Sequence, residues 1–463
     1  MPKPLPTESQ DSSFYEKHAK VYPREVHGLF ATLRVTGVLV LLGIYYFVPW
    51  FRWNDRQAVL FDLPERRFYI FDLTFWPQDF FYLAVILIIA GLSLFFFTAL
   101  AGRLWCGYAC PQTVWTEVFL WIERKIEGDR NKQIKLDKAP MSKAKFWRKS
   151  LKHCIWIIFS AWTGFTFVGY FTPITELGQS IMQLNLGPWE WFWTIFYSAA
   201  TYGNAGWMRE QVCIYMCPYA RFQSAMFDRN TLIISYDQDR GEPRGSRNKS
   251  EDPKSRGLGD CIDCKLCVQV CPTGIDIREG LQYQCIGCAA CVDVCNQVMD
   301  KMGYPSNLVS YTTQNAIDGL KTRVMRPRII IYSLVLLGLT VALVYSMATR
   351  IPLELDIIRD RTALFRTTPT GYIENIYTLK IANKDTVTHD YNLVAQTTFD
   401  SRFQMRENTI RVEAGESGTF TATIQADPVQ LKSMSEKVTF TLTSTDNPQL
   451  TVTETGVFIG PVR

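Results

Sequence analysis

The chain has 463 residues, 47% of them hydrophobic and 14% aromatic, with 49 Lys and Arg against 44 Asp and Glu. That length exceeds a single domain, and a mean hydropathy of −0.02 averages over strongly segregated stretches. Four His exclude most His-based metal and acid–base chemistry, whereas thirteen Cys put the weight on sulfur.

About 28 polar residues come before the first apolar stretch, and no cleavable leader pattern is apparent among them. Five apolar stretches then approach the roughly 20 residues that span a bilayer as a helix: 35–51, 80–101, 154–172, 189–207 and 329–348. The second and fifth carry no charge, which a soluble core helix of that length rarely manages. The fourth is the weakest, with Thr, Ser and Asn along it. Basic residues accumulate on the cytoplasmic side. Loop 102–153 holds 12 of them, loop 52–79 holds 4 against 5 acids, and loop 173–188 holds none. The pattern predicts an N-terminus inside, five crossings and an exported C-terminus. All thirteen Cys fall in segments assigned to the inside, where thiols stay reduced.

Residues 350–463 read as short alternating runs (NIYTLKIAN, DYNLVAQTTF, KVTFTLTS) separated by turn residues and free of Cys. That is the pattern of a β-sandwich, without the inter-sheet disulfide of antibody domains. The segment AVLFDLPERRFYIF in loop 52–79 predicts a small outer hairpin. Segment 229–258 is charged and rich in Gly, Ser and Pro, a linker whose basic balance suits a membrane surface rather than nucleic acid.

The strongest motif is Cys261-x2-Cys264-x2-Cys267-x3-Cys271-Pro272, followed by Cys285-x2-Cys288-x2-Cys291-x3-Cys295. In such runs three thiolates grip one iron–sulfur cube and the fourth crosses to the other. One [4Fe–4S] cluster is therefore expected on Cys261, Cys264, Cys267 and Cys295, and a second on Cys285, Cys288, Cys291 and Cys271. Zinc more often takes two Cys pairs, and disulfides are disfavoured inside a cell.

A second constellation is an internal repeat. Cys106-x-Tyr108-x-Cys110-Pro111 follows the second apolar stretch, and Cys213-x-Tyr215-x-Cys217-Pro218 follows the fourth. An i, i+4 pair shares a helix face, so each pair could hold one soft ion and all four could surround one metal or cluster. Thiolates favour Cu(I), zinc or iron–sulfur. The Pro residues suit the first turn of a following helix. Cys154, beside His153, reads as structural, and His18, His27 and His389 show no ligand spacing. No stretch carries a mid-membrane His for a b-type haem, and no glycine-rich fingerprint supports a flavin or nucleotide.

This order of parts resembles the cytochrome c oxidase accessory protein family CcoG, also called FixG or RdxA. The likeness rests on both Cys-x3-Cys-Pro motifs, the eight-Cys insert, RQAVLFDLPERRFYIFDLTFWPQDF and WCGYACPQTVWTE. It implies a bacterial inner-membrane protein that reduces Cu(II) to Cu(I) for assembly of a cbb3-type oxidase. The implied partners are a cytoplasmic electron donor, copper ions, and the oxidase or its copper-delivery factors. Two alternatives stand beside it: a quinol-linked protein resembling the membrane polyferredoxins, with a further cluster at the four paired cysteines, or a non-catalytic assembly scaffold whose outer sandwich binds an oxidase subunit. The expected architecture is a multi-domain membrane protein with a five-span α-helical bundle, a ferredoxin-like 2[4Fe–4S] insert and a C-terminal all-β immunoglobulin-like sandwich. Its parts are a cytoplasmic segment (1–34), a four-span domain (35–228), a linker (229–258), the ferredoxin domain (259–305), a return segment (306–328), the last span (329–348) and a periplasmic domain (350–463).

Overall fold

Among the described residues, four helices are long and apolar enough to cross a membrane: Leu29–Trp50, Pro77–Ala101, Lys143–Val168 and Pro327–Ala348. The computed structural model describes residues 20–54, 56–249, 251, 257–360, 362–385, 387–405 and 409–461, so His18 lies outside the described residues. The remaining apolar stretch, 189–207, is built differently. Helix Pro188–Thr201 runs into a π-helix over Tyr202–Met208, where Gly203, Asn204 and Gly206 weaken the α-helical ladder. The chain folds as two compact units, one of residues up to 61 with 84–337, the other of 62–83 with 338–463.

In the first unit, α1 (Leu29–Phe47), α2 (Phe80–Ala101), α3 (Leu104–Tyr108) and α4 (Pro111–Glu127) precede α5 (Arg130–Lys138) and α6 (Lys143–Val168). Val38 and Leu42 of α1 pack with Val114 of α4, and Phe119 and Ile122 of α4 with Trp156 of α6. The N-terminus of α1 lacks a side-chain cap of its own. Asp293 supplies one by accepting hydrogen bonds from the backbone N–H groups of Phe30 and Ala31, at 3.3 and 2.7 Å. Gly28 is required there, because a Cβ would stand 2.4 Å from the Asp293 Cγ.

The ferredoxin module is larger than 259–305. Strand Ile233–Tyr236 pairs antiparallel with Val309–Thr312, and Ile234 and Tyr236 are buried with Cys261, Val292, Met299 and Leu308. The expectation that 229–258 is only a linker, and 306–328 only a return, is corrected at these two strands. Charged residues on both sides hide a four-residue strand whose burial alternates from Ile233 to Tyr236.

In the second unit, one antiparallel sheet runs in the order Ser401–Met405, Ser417–Ala426, Ile373–Asn383, Leu353–Arg359. The other runs Ile410–Val412, His389–Thr397, Ser435–Ser444, Thr451–Ile459. Alternate residues face inward, so Tyr377, Leu379, Val438, Phe440, Leu442 and Phe458 are fully buried. The Tyr377 hydroxyl donates to the Val457 carbonyl at 3.0 Å. Arg67–Ile70 and Leu73–Phe75 form a short hairpin in the same unit. Nearby, the Asp79 carboxylate pairs with Arg350 at 2.6 Å and Lys384 at 3.3 Å.

Candidate functional site

The two Cys-x2-Cys-x2-Cys loops share one backbone device. Asp263 and Lys265 flank Cys264 with φ of 52° and 56°, and Gly287 and Ala289 flank Cys288 with 69° and 57°. Left-handed residues on both sides of the middle Cys curl each loop around a hollow. One cavity is lined by Cys261, Cys264, Cys267 and Cys295. The other is lined by Cys271, Cys285, Cys288 and Cys291, with Cys267 reaching both. The two crossed sets are those required for two cubes. Burial, reinforced by neighbouring thiols, pushes Cys285 and Cys295 up to about 12. Cluster binding at this donor set therefore displaces protons from thiols that are otherwise neutral.

The paired cysteines of the internal repeat sit at breaks in the helices rather than on one continuous helical face. Cys106 lies in α3, which ends at Tyr108, and Cys110 is the extended N-cap of α4. Cys213 lies in a π-helical turn, Val212–Met216, and Cys217 is the extended N-cap of the helix Pro218–Met226. Proline lacks an N–H and disfavours helix in the residue before it, so each motif breaks its helix at the second Cys. The i, i+4 expectation is corrected on this point. The four thiols still lie within electrostatic reach of one another: Cys106 senses Cys110 and Cys217, and Cys213 senses all three others. Burial raises Cys106 to about 11 and Cys213 to about 12, and the other thiols add to it.

The first pair also touches the ferredoxin module. A Cβ on Gly107, between Cys106 and Cys110, would fall 2.8 Å from the Gly287 carbonyl oxygen and 2.9 Å from the Cys288 Cα. Cys106 packs against the buried group of Val270, Ile286, Cys288 and Val294, and its thiol donates to Gln223 Oε1 at 3.5 Å. Tyr311 donates to the Gly287 carbonyl. Arg103 is buried at the same junction. It donates to the carbonyls of Tyr283 and Cys285 on the ferredoxin side and of Ala220 on the helix Pro218–Met226, the last at 2.6 Å. On the second pair's side, a small cavity is lined by Cys213, Cys288, Arg34, Glu117, Arg209 and Glu210, among others.

Sequence reasoning missed a buried ionic cluster that includes Arg209, just before the turn carrying Cys213. Glu123 and Glu127 of α4 are 0% and 1% exposed. Lys152 pairs with both, at 3.3 and 2.9 Å, and Arg209 pairs with Glu123 at 2.8 Å. Arg209 holds a left-handed φ of 41° at the end of the π-helix, and Gln112 donates to its carbonyl at 3.0 Å. Burial alone would raise Glu123, but Arg209, Lys20 and Lys152 hold it at about 2. The i, i+4 spacing of Glu123 and Glu127 was the available signal, although it resembles a solvated helix face. His153 bonds to the Tyr202 hydroxyl at 2.9 Å and stacks on Trp207, and Cys154 is exposed. Among the described residues, no three His, Cys, Asp or Glu side chains converge closely enough for a single-ion site. That holds equally for the eight ferredoxin cysteines, because ligands of a cube stand farther apart than ligands of one ion.

Three family models match the chain. Residues 208–314 match a 4Fe-4S dicluster domain, 82–128 a 4Fe-4S binding domain, and 343–461 the IG-like fold at the C-terminal of FixG. Nitrogen fixation protein FixG of Rhizobium meliloti is 41% identical over 406 residues, 80% of this chain and 78% of that protein. Protein RdxA of Cereibacter sphaeroides is 42% identical over 383 residues, 80% of each chain. A crystal structure of a FixG-related protein from Vibrio parahaemolyticus is 35% identical, with a TM-score of 0.22. It covers 24% of this chain and 98% of that one.

Proposed function

Because the chain belongs to the FixG/RdxA family of membrane oxidoreductases with 4Fe-4S domains, we propose that it reduces Cu(II) to Cu(I) at its membrane-face cysteines. The observation that carries this reading is the backbone contact between Gly107 and the Gly287–Cys288 loop. It brings a soft-ligand pair against the loop of the second cluster, which favours a short electron-transfer step. The two [4Fe–4S] clusters supply one-electron storage and transfer. Cys106, Cys110, Cys213 and Cys217 bind the copper substrate, and two thiolates per pair suit Cu(I) better than Cu(II), which biases the couple toward reduction. One electron taken from a cytoplasmic donor converts one Cu(II) to Cu(I), with no bond broken. In this proposal the chain crosses the bacterial inner membrane five times, with the ferredoxin module in the cytoplasm and the sandwich in the periplasm. The Cu(I) serves a cbb3-type oxidase or its copper-delivery factors.

The match of residues 82–128 to a 4Fe-4S binding domain favours a second reading, in which Cys106, Cys110, Cys213 and Cys217 hold a further cluster in a quinol-linked protein. Anaerobic full-length protein, reduced and mixed with Cu(II), separates the two. Iron near 8 per chain and Cu(II) reduction lost in the four-Ser variant support the copper site, whereas iron near 12, falling to 8 in that variant, supports the cluster. Unchanged reduction in the four-Ser variant overturns the copper reading.

A further inference from the structure

The two cluster sites have matching loops but differ in how their buried arginines are partnered. Beside Cys261, Cys264, Cys267 and Cys295 the buried cation is Arg278, which helps line the cavity. Its Nη1 meets Asp263 at 2.5 Å, its Nη2 meets one Asp276 oxygen at 2.6 Å, and its Nε meets the other at 2.8 Å. Its two carboxylate partners offset that charge, and Lys265, which also lines the cavity, is exposed to water. Beside Cys271, Cys285, Cys288 and Cys291 there are two buried arginines. Arg34 donates to the Cys288 carbonyl at 3.5 Å and is balanced by Glu117 at 3.5 Å, with Asp293 also within electrostatic reach. Arg103 bonds only to carbonyls, and among the described residues no carboxylate lies within ion-pair distance of it. Arg103 is therefore the buried cation of this site that no carboxylate offsets.

A cluster that accepts an electron gains negative charge in a buried setting. A cation nearby stabilises its reduced form and raises its potential, and an excess of carboxylate lowers it. We propose that Arg103 sets the direction of electron flow, making the centre on Cys271, Cys285, Cys288 and Cys291 the electron sink and that on Cys261, Cys264, Cys267 and Cys295 the entry. One electron leaves the first centre and one arrives at the second, with no bond formed or broken and no proton moved. Exposure fits this order. Cys264 of the entry set is exposed to a donor, whereas Cys288 of the sink set is buried against Cys106. Arg103 also reaches across the junction, with hydrogen bonds on both sides. It is a positioning residue for the electron rather than a ligand.

The inference rests on the electron-transfer part of the proposed function, and its test contains no copper. Anaerobic full-length protein is titrated electrochemically and followed by EPR, with Cys264→Ser and Cys285→Ser identifying which signal belongs to which site. In the unmodified protein the Cys285 site should titrate at the higher potential. Arg103→Gln should shift its reduced-to-oxidised ratio at fixed potential about tenfold toward oxidised, about 59 mV for one electron, and leave the other site unmoved. Arg103→Lys, which keeps the charge, should restore most of that shift. Should Arg103→Gln fail to fold, Asp263→Asn must raise the Cys261 site alone. An entry site at equal or higher potential overturns the inference, as does an Arg103→Gln variant that shifts neither site or both equally. Loss of Cu(II) reduction with the two potentials still separated would sink the copper reading alone.

Discussion

The cysteine-bearing module and the C-terminal sandwich solve the same problem in opposite ways. The sandwich closes on hydrocarbon: Tyr377 and Phe440 meet edge to face at 5.2 Å, and Leu379, Val438 and Leu442 are fully buried around them. The ferredoxin module buries thiols and charges where the sandwich buries Leu and Val. Cys261 and Cys288 lie in its core, and Arg278 is held in an ionic cluster. A sandwich of this kind is complete as a polypeptide, whereas the module is complete only when its thiols are ligated. The largest expected effect tests that difference. Removing iron by anaerobic chelation should abolish slow hydrogen exchange in 233–312 and release the Asp293 cap on α1. Exchange in 373–459 should stay within error. Equal protection of 233–312 with and without clusters would show that the module holds itself together.

The reciprocal change acts on the sandwich alone. Phe440→Ala removes a fully buried ring and should destabilise the sandwich by about 3–5 kcal/mol. The cluster EPR signals and their potentials should not move. A shift in those potentials would mean that the two regions are coupled, and the comparison would need a shared element.

How much of this was legible follows the same division. Strands such as Ser435–Ser444 bury every second residue from Val438 to Ser444, and a period of two is visible in any sequence that obeys it. The eight cluster cysteines were equally plain, because ligation fixes spacing. Three features were not. The strand Ile233–Tyr236 is only four residues long and flanked by charge. The π-helical turn at Cys213 arises from a helix that a proline ends, which is a geometric outcome rather than a residue pattern. The pairing of Glu123 with Arg209 spans 86 positions, and a buried carboxylate looks in sequence like an exposed one.

That ionic cluster gives the third test, on the helical side of the cysteine-bearing unit. Glu123 is held at about 2 against an ordinary value of 4.5. A carboxylate depressed in the folded state stabilises it fully above the ordinary value. The contribution, about 3 kcal/mol here, is lost as pH falls from about 4.5 to 2. Acid should therefore loosen α4, α6 and the Cys213 turn, read as faster alkylation of Cys213 at pH 3 than at pH 5 after correction for thiol ionisation. Glu123→Gln should give the fast, pH-independent rate already at pH 5. A variant as protected as the unmodified protein would mean that the cluster does not fix the turn.

The smallest effect concerns an ionic contact of the sandwich unit. Asp79 caps its own turn by accepting from the Trp76 N–H at 2.9 Å, and its two oxygens hold Arg350 and Lys384. Lys384 keeps a second partner, Glu354 at 2.7 Å, so losing Asp79 leaves only Arg350 without a carboxylate. Asp79→Ala should therefore cost about 1–3 kcal/mol, less than the loss of the Phe440 ring. It should appear as faster exchange confined to 74–80, 350–354 and 383–385, with the interior strands unchanged. Exchange spreading into Ile373–Asn383 as a whole would show that the sandwich depends on this anchor and is not closed by its hydrocarbon core alone.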